Sequence, residues 1–383
     1  MSCFCQRGNF KVKMAKHLLP PPLRALPSLL KRNLFLYQRT FKNKNKIHAF
    51  STLVFAWSLL FLSPHVYGSE QSNSQVRTPI AFTANLNPFI LVLGLPTAEN
   101  GSLTAAKELQ FHGSFSLVNN SIPESEGKES ITLDGETYYS LFSFRYGFND
   151  TWELGFKIPY IAHNSGHLDN FIKNWHNILG LTNDRRDVFE DNELLYKYSV
   201  SDQTVYELSN NSMGWGDPLI TAAINLSGKH PTRNTALRFS ARIPLGNADK
   251  LTSNEASNLS IALAFDDLLH IFDKEIGFLG QGGYLYLEEG EILKELQRNH
   301  VAYGSLGLNF PFSEHIIMKT QIDVQSSFYN SDLLALGKNS IQFTLGGSIQ
   351  ATSKIWIDFG LVENLQTDTT PDVIFYAMIN MPI

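Results

Sequence analysis

Cysteine is almost missing from this chain of 383 residues: Cys3 and Cys5 are the only two. Everything after Cys5 therefore lacks the means to form a disulfide, a thiolate nucleophile or a Cys-ligated metal site. Charge is sparse as well, with Asp, Glu, Lys and Arg making up 17% of the residues against 43% hydrophobic ones. Acid is absent from the first 68 residues, which hold 11 of the 31 basic side chains. Residues 69–383 are left with 20 basic against 36 acidic side chains, a net of −16 that the overall −5 conceals. That balance argues against a nucleic-acid partner. The part of the chain after residue 68 also has no phosphate-cradling glycine loop, dinucleotide-binding fingerprint or zinc-finger spacing, and no cofactor is expected.

What the N-terminal region does contain is an export pattern. Residues 49–63 (AFSTLVFAWSLLFLS) carry no charge, follow Lys42, Lys44 and Lys46, and lead into Pro64 and Val66-Tyr67-Gly68. A basic region, an apolar region and a small-residue end, in that order, make a secretory signal peptide. Cleavage is expected between Gly68 and Ser69, which makes residues 1–68 a leader. The apolar stretch is shorter than the roughly 20 residues a helix needs to span a bilayer. With no Cys after it, lipid modification of the mature N-terminus is excluded.

Beyond residue 101 the dominant signal has a period of two. Ile341, Phe343, Leu345 and Ile349 alternate with Gln342, Thr344, Ser348 and Gln350. Leu237, Phe239, Ala241 and Ile243 alternate with Arg238, Ser240 and Arg242, and Trp152, Leu154, Phe156, Ile158 and Tyr160 with Glu153, Gly155 and Lys157. Alternation over about ten residues between turn signals is the pattern of a membrane barrel strand. A soluble β-sandwich alternates too, so loop lengths have to decide. Strands are expected near 110–119, 135–147, 151–162, 217–227, 234–245, 257–265, 275–287, 299–310, 315–328, 338–350, 354–363 and 371–382. The even-numbered links are short and the odd-numbered ones longer, including the first; the third runs from 163 to 216 and the sixth, 266–274, is longer than its class. Short turns on one rim and long loops on the other, with an even strand count, predict an all-β transmembrane antiparallel barrel of about 12 strands over 110–383. Residues 69–109 then form a periplasmic N-terminal segment. Its apolar run 87–96 is expected either to plug the barrel or to make a short periplasmic strand.

The second hairpin carries a geometric expectation. A turn centred on Asn149 pairs Tyr146 with Trp152 and Tyr138 with Tyr160, and sets Arg145 opposite Glu153. The two aromatic rows are then separated by roughly 20 Å along the barrel axis, close to the ~25 Å apolar band between the aromatic girdles of such barrels.

Three blocks carry a family resemblance: residues 89–100 (FILVLGLPTAEN), 133–181 (beginning LDGETYYSLFSFRYGFNDTWELGFKIPYI) and 242–252 (RIPLGNADKLT). They resemble a family of uncharacterised proteobacterial outer-membrane proteins known only as a domain of unknown function. More loosely, Gly214-Trp215-Gly216-Asp217 followed by Arg242-Ile243-Pro244-Leu245-Gly246 resembles barrels grouped with phenol meta-cleavage pathways, which implies import of aromatic or hydrophobic compounds. Where that group has Pro-Thr-Gly, this chain has Pro244-Leu245-Gly246. Neither resemblance brings catalytic residues.

On the inward phase lie Arg145, Glu153, Lys157, Arg238, Arg242, Lys319, Asp323 and Asp358. Charges of both signs in a lumen either order a polar solute or pair and close the interior. The long third loop opens with His163, Ser165, His167 and Asp169, residue types of a hydrolytic site and also of a metal set. Leu168, Phe171, Ile172, Trp175 and Leu179 have the spacing of an amphipathic helix, and Asp184, Asp187, Glu190, Asp191 and Glu193 form an acidic stretch. Three functions fit. One is a narrow channel or uptake pore for small or hydrophobic solutes in the outer membrane. The second is a membrane-embedded lipid or lipopolysaccharide hydrolase centred on His163, Ser165 and Asp169. The third is a structural or adhesive surface protein. The partners each implies are outer-membrane lipid and lipopolysaccharide, the barrel-assembly machinery and, for the first, a small-molecule solute.

Overall fold

Alternating sequence becomes alternating exposure once the strands close on themselves. The computed structural model describes residues 85–168, 192–228, 232–271, 274–365, 369–371 and 373–383. Gly68, Ser69, Asp169, the 170s of the third loop and Asp184 to Asp191 lie outside the described residues. In chain order the strands are β1 Leu109–Glu126, β2 Glu129–Gly147, β3 Trp152–Asn164, β4 Leu195–Val200, β5 Gln203–Leu208, β6 Ser212–Trp215, β7 Leu219–Asn225, β8 Asn234–Arg242, β9 Asn258–Ile271, β10 Lys274–Leu287, β11 His300–Ser313, β12 Ile316–Gln325, β13 Ser340–Gln350, β14 Trp356–Asn364 and β15 Val373–Pro382. Twelve of them, all but β4, β5 and β6, pair antiparallel in a ring that β1 closes against β15.

The ring is inside-out relative to a soluble core. Phe144, Leu154, Phe156, Ile220, Leu259, Ile261, Leu263, Leu306 and Phe359 stand exposed on its outer face. The alternate residues, among them Ser143, Asn309, Gln321 and Thr344, are buried on the inner one. Burying polar residues while exposing a belt of large apolar ones is unfavourable in water and favourable in a bilayer, where closure also leaves no unpaired strand edge. The chain is a transmembrane antiparallel β-barrel.

Three expectations need correction. First, the second hairpin pairs Tyr146 with Leu154, Ser140 with Tyr160 and Tyr138 with Ala162, two residues out of the expected register. The cause is the turn. Asn149 Oδ1 accepts from the Thr151 and Trp152 amides at 2.8 Å each, and Phe148 N donates to Trp152 O at 2.9 Å, so the turn lies between the pair Gly147 and Glu153 and centres on Asp150. A shift of two keeps every side chain on its face, because the strand period is two. Tyr146 and Trp152 remain exposed on the outer face, and Tyr138 and Tyr160 half-buried on it, while Arg145 now opposes Gly155 instead of Glu153. Second, the first link is a tight turn at 127–128, because β1 and β2 run on together well past residue 119. β9 and β10 likewise run on together beyond the expected strand ends, pairing as far as Ile271 with Lys274. Third, the loop from 163 to 216 contains β4, β5 and β6: β4 continues the wall along β2 where β3 ends, and β6 extends β3's other edge above β7.

Five links on one rim are short, and the long ones gather at the other, where they fold inward. Leu251, Ile292, Leu293, Phe328, Tyr329, Leu333 and Leu336 from the loops after β8, β10 and β12 are buried together with Tyr196 and Tyr198 of β4. Beneath them sits α1, Pro88–Leu91, capped by Asn87, whose Oδ1 accepts from Phe89 N at 3.1 Å with Pro88 next in sequence. Pro at the start of a helix loses no hydrogen bond, since that N–H has no helical partner. Phe89, Ile90, Val92 and Leu93 join the same core. Each such side chain removed from water contributes on the order of 1.5–3 kcal/mol. The run 87–96 is helical at its start, and residues 88–93 are buried against the loops and the inner wall.

Candidate functional site

From α1 the chain runs down through the lumen to the short-turn rim, touching the wall on several sides. Tyr329 Oη donates to Phe89 O at 2.7 Å, and Asn258 Nδ2 to Leu93 O at 2.7 Å. Gly94 follows at φ 70°, and a Cβ built there would lie 2.8 Å from Arg242 Nη1, so both its backbone and the guanidinium packed on it require glycine. Lower down, Arg238 donates from Nε to Asn100 O and from Nη2 to Ser102 O, each at 2.9 Å. Ser102 Oγ donates to Asp266 Oδ2 at 2.7 Å, and Thr104 N to Glu153 Oε2 at 2.6 Å. At the rim Ala106 pairs parallel with Gly147, whose Cβ, had it one, would sit 2.1 Å from Ala105 O. β1 then starts upward.

At the middle of this path is Glu99. Its carboxylate lies 2.5 Å from Lys157 Nζ, 2.9 Å from Arg145 Nη1 and 3.9 Å from Arg238 Nη1. Its amide donates to Gln281 Oε1 at 2.8 Å. Burial alone would raise the Glu99 carboxyl; Lys157, Arg145 and Arg238 outweigh it and hold the group well below the usual carboxylate range. Lys157 Nζ also donates to Thr97 Oγ1 at 2.8 Å, and Arg238 Nη1 to Glu153 Oε1 at 3.0 Å. Sequence reading missed Glu99 because its segment has no strand pattern. A signal was there: Glu99 is the only charged residue between Arg77 and Lys107.

The eight inward charges are all buried, and they divide into separate sets. Arg145, Lys157, Arg238 and Glu153 surround Glu99. Arg242 Nη2 instead meets Asp217 Oδ2 at 2.5 Å. Asp217, buried in the break between β6 and β7, also accepts from the Leu245 and Gly246 amides at 2.8 and 2.7 Å and from Ser253 Oγ at 2.6 Å. That hub anchors the loop after β8. Across the barrel Lys319 Nζ pairs with Asp358 Oδ2 at 3.0 Å, both fully buried, and Asp323 accepts from Gln321 Nε2 at 2.9 Å. Between the lumenal segment and the wall is a cavity of about 60 Å³. Leu91, Leu95, Tyr139, Leu141, Ile161 and Tyr303 give it an apolar side, and Glu99, Lys157, Arg238 and Arg242 a charged one.

His163 and Ser165 do not come together as a catalytic pair. The buried His163 ring uses Nδ1 with Thr137 Oγ1 at 3.0 Å and Nε2 with Leu251 O at 2.9 Å, and it packs edge-on to Tyr196. With a carbonyl as one partner, Nε2 is the donor and Nδ1 the acceptor, and no ring nitrogen is left to take a proton from Ser165. Ser165 N donates to Asn211 Oδ1 at 3.1 Å. Among the described residues no three His, Cys, Asp or Glu side chains gather to hold a metal ion. On the outer face, Trp215 packs on Tyr160 at 5.2 Å, and Tyr284 on His300 at 5.8 Å near the long-loop rim; neither Trp215 nor Tyr284 was expected as part of an aromatic belt.

Among solved structures the chain is similar to an outer membrane channel of Pseudomonas putida F1, at 10% identity over 76% of this chain and 100% of that one, with a TM-score of 0.49. It is also similar to the toluene transporter TbuX of Ralstonia pickettii, at 10% identity over 78% and 98% with a TM-score of 0.38. A third is the outer membrane channel DcaP of Acinetobacter baumannii, at 9% identity over 74% and 100% with a TM-score of 0.30. No curated protein matches the chain. A family model matches residues 60–381, and the chain belongs to that family, described as "Protein of unknown function (DUF3187)".

Proposed function

We propose that the barrel is an outer-membrane channel for small or hydrophobic solutes, held shut by residues 85–104. The long-loop rim faces outward and the short-turn rim, with both ends of the ring, faces the periplasm. In this reading the leader 1–68 exports the chain, the barrel-assembly machinery inserts it, and lipid and lipopolysaccharide contact the outer apolar belt.

The observation that carries the proposal is how the lumen is filled. The ring pairs completely without residues 85–104, and these residues are held by the apolar packing of residues 89–93, by side-chain hydrogen bonds and by one ionic cluster rather than by a strand ladder. A barrel with a purely structural role has no need to line its interior with Arg145 and Lys157 and then neutralise them with Glu99 from a separate piece of chain, since burying charge costs free energy that apolar filling would not. The hydrolase reading lacks a base for Ser165, because both His163 nitrogens are engaged.

Conductance of the purified full chain in planar bilayers tests the proposal. Openings whose size or selectivity changes in Arg238→Ala and Arg242→Ala are expected. A barrel that never opens, with no change in either variant, overturns it. For the hydrolase, unchanged lipid A mass profiles on expression of the chain and of Ser165→Ala would dispose of the alternative.

A further inference from the structure

The cluster around Glu99 has features that closing a pore does not require. Arg145, Lys157 and Arg238 are opposed by Glu99, by Glu153 and, through Ser102, by Asp266. Three cations and three anions balance only while Glu99 is seated; without it the buried set carries one uncompensated positive charge. Buried charge of that kind is costly and draws in a counter-ion. One donor of the cluster is also left over: Arg145 Nε is buried without a hydrogen-bond partner among the described residues. The cavity beside the cluster has the apolar side already described, formed by Leu91, Leu95, Leu141, Ile161 and the two tyrosines.

Resting on the channel reading, we infer that the Arg145, Lys157 and Arg238 cluster is the binding site for a monocarboxylate solute with a small apolar body, and that Glu99 fills the site when the solute is absent. An incoming carboxylate takes the place of the Glu99 oxygens on the guanidinium and ammonium groups, which favour carboxylates through charge-assisted hydrogen bonds. Its apolar body lies along Leu95, Leu141 and Ile161. A single negative charge restores neutrality, a neutral solute leaves the excess cation, and a dianion overshoots. Displacing Glu99 removes the ionic hold on residues 97–100, so binding and unseating of the segment are one event.

The test uses the full chain in detergent micelles, with benzoate and its neutral counterpart benzyl alcohol as probes, read by calorimetric titration. Benzoate is expected to bind, and benzyl alcohol at least about tenfold more weakly. Glu99→Gln removes the internal competitor and should tighten benzoate about tenfold, as expected when a site no longer has to be vacated. Lys157→Met should abolish that preference. Equal binding of the two probes, or benzoate binding indifferent to both substitutions, overturns the inference. Should Glu99→Gln fail to fold, Ala98→Cys in a chain that keeps Glu99 decides. With no cysteine after Cys5, its maleimide labelling reports position 98 once Cys3 and Cys5 are replaced. Benzoate but not benzyl alcohol accelerating the labelling supports the site; both probes acting alike overturns it. No current is measured, so selective benzoate binding by a barrel silent in bilayers would count against the channel alone.

Discussion

Lys157 Nζ and the Glu99 carboxylate lie 2.5 Å apart, tying a segment that belongs to no strand to the wall of a ring that closes without it. Residues 89–93 of that segment are packed into the apolar core of the loops, and below them most of its other contacts are single neutral hydrogen bonds, each contributing about 0.5–1.5 kcal/mol net. Over residues 94–104 the ionic cluster is therefore where the seating is most sensitive to one substitution.

Glu99→Ala leaves Arg145 and Lys157 buried against no carboxylate. Breaking a buried pair on one side costs about 3–5 kcal/mol. Amide hydrogen exchange over residues 93–104 should speed by about two orders of magnitude or more, while exchange in β10 and β11 stays as in the native chain.

The pH dependence has a definite sign. Glu99's folded pKa is depressed, so its contribution to seating is complete above the ordinary carboxylate pKa of about 4.3 and is lost only as pH falls toward the lowered value. Opening frequency in bilayers is therefore expected to stay flat from about pH 7 down to about pH 5. A steep rise between those values would mean that a different group holds the segment.

Asp217→Asn weakens the ion pair with Arg242 and two loop amide bonds at one point. The expected loss is about 3 kcal/mol, read as a lower urea midpoint for the folded barrel in micelles. Asp217→Glu, whose longer side chain has to displace Ser253 or the loop backbone, should restore only part of it.

Lys319 and Asp358 are both fully buried and paired with each other. Lys319→Met and Asp358→Leu should each destabilise by about 3–5 kcal/mol, and the double substitution by much less than their sum. A urea-midpoint double-mutant cycle measures the difference; strict additivity would mean that the pair does not interact.

Much of this architecture could be read from the sequence, because a barrel strand writes its two faces into alternate residues. Ile341 to Gln350 and Trp152 to Tyr160 show it plainly, and the period survives a register error of two, as the pairing of Tyr146 with Leu154 shows. What could not be read was set by turns and by long-range contacts. The side-chain acceptor on Asn149 moved the hairpin, and β4 and β6 formed inside a loop because edges of β2 and β3 were open to them. The inward charges were visible as a set, but their pairing depends on Glu99, from a segment without periodicity, and on Asp217, which lies in the break between β6 and β7 rather than inside the strand expected from 217.

In the proposed channel residues 85–104 close the conduit and Glu99 is the group whose loss unseats them. Single-channel recording of the full chain and of Glu99→Gln, both showing a folded heat-modifiable barrel, tests it most directly. Rare, brief openings are expected in the native chain and an open probability at least about tenfold higher in the variant, the ratio that 1.4 kcal/mol of lost seating produces. Identical closed traces from both proteins would contradict it.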